Sequence, residues 1–169
     1  EGATLGGTIA CALSGPRRPY AGAARDFVLG SRILNGTGEV LRFGGQVMKN
    51  VAGYDVSRLM AGAMGTLGIL TEVTLKVIPK PEATMTVCRP ADATDALRAM
   101  NDLSRTPLPI NGASWCDGKL YVRLAGPASV VTAAAEQIEG NAVSGDQAVW
   151  TGLREMSLGE KMADLVAIL

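Results

Sequence analysis

Lys49-Asn50-Val51-Ala52-Gly53-Tyr54-Asp55 and, further on, Gly62-Ala63-Met64-Gly65-Thr66-Leu67-Gly68-Ile69-Leu70-Thr71-Glu72 carry the pattern most suited to chemistry in this chain. Glycines recur there on both sides of one short helical stretch and immediately before an alternating strand. Glycine has no Cβ and tolerates positive φ, so Gly62, Gly65 and Gly68 can bring main-chain N–H and C=O groups within hydrogen-bond range of a large flat ligand, or can simply turn a tight corner. Spacing alone leaves both readings open. Histidine is absent, with 0 in 169 residues, which excludes a Ser-His-Asp triad, a histidine general base, His-ligated zinc and a histidyl-linked cofactor from this chain. Chemistry must therefore come from a cofactor or a partner.

Composition narrows the classes further. A chain of 169 residues with 47% hydrophobic and 19% charged content is that of a soluble globular protein of one or two domains. Its 16 basic and 16 acidic residues cancel, removing any bulk electrostatic case for a nucleic acid or an anionic membrane. The apolar runs fall far short of the roughly 20 residues a membrane-spanning helix requires, so no direct membrane span is expected. Cys11, Cys88 and Cys116 form no CxxC pair and cannot all be paired internally, which suits a reducing, cytoplasmic compartment. No metal site is expected. Glu1 stands directly before the glycine-rich Gly2-Ala3-Thr4, and Leu169 stops inside an apolar helical pattern, so the chain is expected to be an internal piece of a longer protein.

The elements that must position these residues fall into two stretches, with Pro79-Lys80-Pro81-Glu82 as the break between them. In the front stretch, Thr8-Ile9-Ala10-Cys11-Ala12-Leu13 suggests a short buried helix ending at Ser14-Gly15-Pro16. Phe27 to Leu34 and Glu39 to Phe43 flank Asn35-Gly36-Thr37-Gly38 as a hairpin. Asp55 is placed to cap a helix from Val56, and Thr71, Val73, Leu75 and Val77 alternate as one face of a strand over 69–78. The back stretch reads strand, helix, strand, strand, helix, strand: Thr84 to Cys88; a helix capped by Asp92 with Leu97, Met100 and Leu103 on one face; a hairpin around Asp117-Gly118; a helix after Pro127 lined by Val131, Ala134, Ala135 and Ile138 and stopped by Gly140. That order is the ferredoxin-like βαββαβ pattern. A final stripe of Leu158, Met162, Leu165, Val166 and Leu169 predicts an amphipathic helix packed on other sequence or on a partner.

Four ordered blocks, Thr4-Leu5-Gly6-Gly7-Thr8-Ile9-Ala10, Arg25-Asp26-Phe27-Val28-Leu29-Gly30, Lys49 to Asp55 and Gly65 to Glu72, together resemble the second half of the FAD-binding domain of the vanillyl-alcohol-oxidase/PCMH flavoproteins. Leu13-Ser14-Gly15-Pro16-Arg17-Arg18-Pro19 and Phe43-Gly44-Gly45-Gln46-Val47-Met48-Lys49 are most similar to the FAD-binding E subunits of bacterial glycolate oxidases. The resemblance implies an α+β chain: the second, C-terminal half of a PCMH-type FAD-binding domain over 1–82, then a ferredoxin-like α+β cap domain over 83–169. It places the segment of Thr4, Gly6, Gly7 and Thr8 near the ribityl and pyrophosphate of FAD, Ser14 and Gly15 toward the isoalloxazine, and the backbone of Gly68 and Ile69 beside the adenosine end. A helix beginning at Gly7 would add N–H groups for the diphosphate. Each has a plainer alternative: Thr4 caps the helix, Ser14 closes it, Ile69 only starts a strand. Arg25-Asp26 reads as an ion pair or turn before a cofactor contact, Lys49 as an exposed lysine or a charge beside FAD, Cys11 as a small buried thiol. The family's first half, with the loop that cradles the pyrophosphate, has no counterpart in residues 1–169, so FAD is not expected to be retained by them alone.

The function so implied is that of an FAD-binding subunit of a glycolate (2-hydroxy acid) oxidase complex, taking glycolate to glyoxylate and passing electrons on. Its implied partners are a second FAD subunit and an iron–sulfur subunit, with attachment to the inner membrane through them. No catalytic residue is designated. Alternatives from other classes are a non-catalytic electron-relay or assembly subunit, and a D-lactate dehydrogenase-like flavoprotein. An independent Rossmann unit is disfavoured, since no GxGxxG loop opens a βαβ unit.

Overall fold

The computed structural model describes residues 2–45, 53–143 and 147–155. Two compact units divide the chain: Glu1–Ser14 with Gly22–Pro79, and Gly15–Ala21 with Lys80–Leu169. The first two helices, α1 (Leu5–Ala10) and α2 (Arg18–Ala21), thus belong to different units.

In unit 1, α1 is followed by a 3₁₀ turn (Ala24–Phe27), strands β1 (Val28–Leu34) and β2 (Val40–Gly44), helix α3 (Val56–Leu59) and strand β3 (Ile69–Leu75). The strands form an antiparallel sheet in the order β2-β1-β3. The β1–β2 hairpin is closed by side-chain chemistry at Asn35, whose Oδ1 accepts from Thr37 N at 3.0 Å, Thr37 Oγ1 at 2.7 Å and Glu39 N at 2.9 Å. Asn35 and Thr37 in turn hold the Glu39 carboxyl below its ordinary range. Asp55 caps α3 as expected, accepting from Arg58 N at 3.1 Å. The buried apolar side chains described in this unit are Ile9, Val28, Ile33 and Met60.

Two expectations shift here. The first helix runs Leu5–Ala10 and not 8–13, and Ile9 is its one buried residue. Thr4 fixes the earlier start, because its extended backbone (φ −100, ψ 152) lets Oγ1 accept from Gly7 N at 3.0 Å. The strand expected over 69–78 ends at Leu75, which pairs with Val28, the first residue of β1. Before Val28 the chain turns as a 3₁₀ helix, so no partner strand remains; Lys76 N still reaches Phe27 O at 2.8 Å, and Val77 is 86% exposed.

Unit 2 contains β4 (Ala83–Pro90), α4 (Ala93–Ser104), β5 (Ile110–Cys116), β6 (Lys119–Gly126), α5 (Ala128–Ala135), β7 (Asn141–Val143) and α6 (Gln147–Arg154). The sheet order β5-β6-β4-β7, antiparallel throughout, with α4 and α5 as the crossovers, is the ferredoxin-like arrangement. Its core gathers Val87, Ala96, Met100, Ile110, Leu120, Val122, Leu124, Val131, Ala134 and Ile138, with Tyr20 of α2 packed against them. Burial pushes the Tyr20 phenol up. The hairpin turns at Asp117 (φ 50) and Gly118 (φ 70), the left-handed pair a tight two-residue loop needs. The helix expected to run to Gly140 ends at Ala135 with Glu136 as its C-cap, and Gly140 (φ +139) instead lets the chain pass β4, where a Cβ would lie 2.7 Å from Cys88 O. On α4 the inward positions are Ala96 and Met100 with Leu103 packed beside them, whereas Leu97 is 38% exposed; helical spacing from the fully buried Ala96 selects 100 and 103 and turns 97 outward. The stripe from Leu158 to Leu169 lies outside the described residues.

Asp92 caps α4 by accepting from Asp95 N at 2.8 Å. Asp92→Ala is expected to lower the unfolding free energy by about 1 kcal/mol, read as a reduced urea midpoint at constant slope; an unchanged midpoint would show that the cap contributes nothing. Among the described residues no helix is long and apolar enough to cross a membrane, and no cluster of three or more His, Cys, Asp or Glu side chains could hold a metal ion.

Candidate functional site

Thr4, Gly6, Gly7 and Thr8 come together in the first turns of α1. Thr4 performs the capping role that the residue type allows: its Oγ1 accepts from Gly7 N and its carbonyl accepts from Thr8 N at 2.9 Å and Thr8 Oγ1 at 3.0 Å. Gly7's N–H is thereby used, leaving the amides of Leu5 and Gly6 as the first-turn donors that helix geometry does not satisfy. A Cβ on Gly7 would lie 3.0 Å from Thr4 Oγ1, so this glycine serves the cap. Gly6 differs. Beyond its own helix, no atom of the described residues stands within 4 Å of the place its Cβ would take, and none of them calls for glycine there.

That contrast separates open glycines from structural ones. Gly30 and Gly44 face each other across β1 and β2, where a Cβ on Gly30 would meet Gly45 N at 3.0 Å and one on Gly44 would overlap Leu29 O and lie 2.7 Å from Ser57 Oγ. Their purpose is to let backbone and α3 close on the sheet. The Ser31 and Ser57 hydroxyls are buried there without a hydrogen-bond partner, too enclosed to reach a ligand.

Ser14 follows α1 and ties the chain to itself, donating to Ala12 O at 3.3 Å and accepting from Ala24 N at 2.9 Å. Gly15 falls in unit 2, where its carbonyl accepts from Arg18 N at 3.0 Å at the start of α2. Gly68 (φ +144) turns the chain into β3, and a Cβ there would lie 2.9 Å from Leu34 O. Ile69, 63% exposed, pairs with Leu34 at the start of that strand. Because β3 is an edge strand of the three-stranded sheet, alternate backbone groups face away from β1. Arg25 lies 3.9 Å from Asp26, whose Oδ2 accepts from Ala23 N at 2.8 Å, the local ion pair and turn. Cys11 is an exposed free thiol at the end of α1 and not a buried one. Lys49 lies outside the described residues.

Two features were not legible in the glycine pattern. Ala12 (φ 53) and Met64 (φ 51) adopt left-handed backbone without being glycine. In unit 2, Trp150 is 4% exposed; its Nε1 donates to Thr86 Oγ1 at 2.9 Å and the Arg123 guanidinium lies 4.4 Å from its ring centroid. Arg123 Nε also donates to Asn111 Oδ1 at 2.8 Å.

No family model matches the chain. Over 158 residues, 94% of its length, it is 49% identical to the glycolate oxidase subunit GlcE of Escherichia coli (strain K12). Among its relatives are FAD-linked oxidoreductases. Two further relatives each match about half of the chain: glycolate oxidase subunit GlcD of Bacillus subtilis (strain 168), 44% identical over 84 residues, and a D-lactate dehydrogenase of Anaerostipes hadrus, 42% identical over 88. These matches cover 50% and 52% of this chain and 18% of each relative. The chain spans 45% of the length of GlcE. Its fold is that of an alkyldihydroxyacetonephosphate synthase, with a TM-score of 0.68 over 92% of this chain and 37% of the synthase at 20% identity. The likeness is one of fold, an α+β arrangement with a three-stranded and a four-stranded antiparallel sheet.

Proposed function

We propose that the intact protein is the FAD-binding subunit of a glycolate oxidase complex that takes glycolate to glyoxylate. The observation that carries this reading is the 49% identity to GlcE sustained through both units, over 94% of the chain. In this reading residues 1–82 are the C-terminal half of the FAD-binding domain and 83–169 belong to the cap. FAD, when bound, supplies the acceptor for the hydride that leaves C2 of the hydroxy acid as its hydroxyl proton is lost.

The chain's own residues suit the cofactor. The open space beside Gly6 lets the backbone of Thr4 to Thr8 lie against the ribityl and diphosphate portion. Ser14 keeps one acceptor position after its two hydrogen bonds, available together with the Gly15 backbone toward the isoalloxazine. The outward backbone of the edge strand from Gly68 and Ile69 suits the adenosine end. The partners proposed are a second FAD-binding subunit and an iron–sulfur subunit, which receive the electrons and hold the cytoplasmic complex at the inner membrane.

The alternative is a relay reading, in which a second flavin subunit of the GlcD kind oxidises the hydroxy acid and this subunit passes the electrons on. The visible spectrum of the purified intact subunit tests both. A flavin band at about 450 nm, bleached by glycolate without other subunits, supports oxidation at this subunit; bleaching only after the second flavin subunit is added supports relay. No flavin band would sink the proposal. Residues 1–169 alone are expected to hold little or no FAD.

A further inference from the structure

α1 poses a mechanical problem. It has six residues and one buried side chain, far short of the length at which a helix is stable by itself, yet Gly6, Gly7 and Thr8, proposed above to lie against the ribityl and diphosphate portion, stand on it. Its far end shows what holds it. Leu13 N donates to Thr8 O at 3.1 Å and Ala12 N to Ile9 O at 2.9 Å, closing the helix with the paired bonds that normally have glycine at the left-handed position. Here that position is Ala12, at φ 53. Opposite it runs a turn in which Gly62 N donates to Ile9 O at 3.1 Å and Met64 N to Ala10 O at 2.9 Å. Met64 is also left-handed, at φ 51, although its side chain is 72% exposed and gains no packing from the conformation. Gly62 has φ +89, and a Cβ there would stand 3.3 Å from Ala12 Cβ.

Non-glycine residues persist in this backbone region only where their surroundings hold them. Both sit where the two segments exchange backbone hydrogen bonds. We propose that the Gly62–Met64 turn is a backbone clamp that sets the position of α1, and that Gly62 and Ala12 are positioning residues for the FAD site. The proposal rests on the flavin reading above. The Ala12 methyl fills the space left by Gly62, so the contact between them is the gauge of how close the two segments stand. An added methyl at position 62 must push Ala12, and α1 with it, away by a few tenths of an ångström.

The test uses the intact subunit and a double-variant cycle. Gly62→Ala is expected to weaken FAD affinity about tenfold through displacement of α1, and adding Ala12→Gly is expected to restore most of the loss by removing the opposing methyl. Ala12→Gly alone is the background against which the double variant is compared. A merely structural role would lower the unfolding midpoint of Gly62→Ala without this rescue, because strain at residue 62 is the same in both backgrounds. Parent-like FAD affinity in Gly62→Ala, or a double variant no better than the single, overturns the proposal. Should Gly62→Ala not fold, Ala12→Ser adds one atom at the same contact and is expected to weaken FAD in the same direction; parent-like binding by it overturns the proposal equally. Hydrogen exchange of the Gly62, Met64 and α1 amides in flavin-free protein reads the clamp without the cofactor, with about tenfold faster exchange expected in Gly62→Ala and recovery in the double variant. If the parent binds no flavin, the functional reading fails while this exchange result still decides the clamp.

Discussion

Gly6→Ala in the intact subunit will make α1 more stable and its FAD less tightly held. A glycine inside a helix costs roughly 0.5–1 kcal/mol relative to alanine, through the backbone freedom it gives up on folding. Among the described residues, no atom outside the helix lies within 4 Å of the would-be Cβ to require that cost. In flavin-free protein the substitution should therefore raise the unfolding midpoint. If backbone at Gly6 lies against FAD, the added methyl occupies the space the cofactor needs, and affinity should fall about tenfold for alanine and about a hundredfold for Gly6→Val. Flavin fluorescence titration and thermal unfolding of the same samples measure the two effects. Gly7→Ala is the control: its Cβ would press on Thr4 Oγ1 at 3.0 Å, so it disturbs the cap and should lose stability as well as flavin. Undiminished FAD binding in Gly6→Val would remove α1 from the cofactor site.

Trp150→Ala is expected to cost unit 2 about 3–5 kcal/mol, the range for deleting a buried indole. The ring is 4% exposed, lies 3.2 Å from where a Cβ on Gly112 would be, and faces the Arg123 guanidinium at 4.4 Å. Its Nε1–H also supplies the Thr86 hydroxyl with a donor at 2.9 Å. Trp150→Phe keeps much of the packing and the aromatic face for Arg123 but loses that hydrogen bond, so it should cost only about 1 kcal/mol. Urea unfolding followed by far-ultraviolet circular dichroism gives both numbers. A loss below about 1 kcal/mol for the alanine variant would mean that α6 is not anchored on the sheet through this residue.

Local chemistry explains which parts of the fold were legible. Asp55 and Asp92 act on amides three residues ahead, and Asp117-Gly118 supplies the two left-handed residues of its own turn, so each is fixed by a few adjacent side chains. In β6 the strand period alone puts Leu120, Val122 and Leu124 on one face, and all three are buried. The first helix was displaced because its end carries alanine where the common signal is glycine, and its start is set by a threonine whose hydroxyl could as well have faced a ligand. Leu97 looked like core by spacing from Met100, and only the burial of Ala96 shows which helical row faces inward.

The amino-acid sequence by itself determined the glycine-bearing blocks, the absence of histidine from these residues and the order of elements of the ferredoxin-like unit that follows the glycine-rich stretch. Those are properties of short segments, and short segments carry their own backbone preferences. Tertiary structure alone decided which glycines are structural and which are open, because Gly44 and Gly6 have the same side chain and differ only in what approaches them from elsewhere in the chain. It likewise decided that Trp150 belongs with Thr86, 64 residues away, and that the Gly62–Met64 turn grips the end of α1. Such contacts depend on the closeness of atoms from segments distant in sequence, and no local preference encodes that distance.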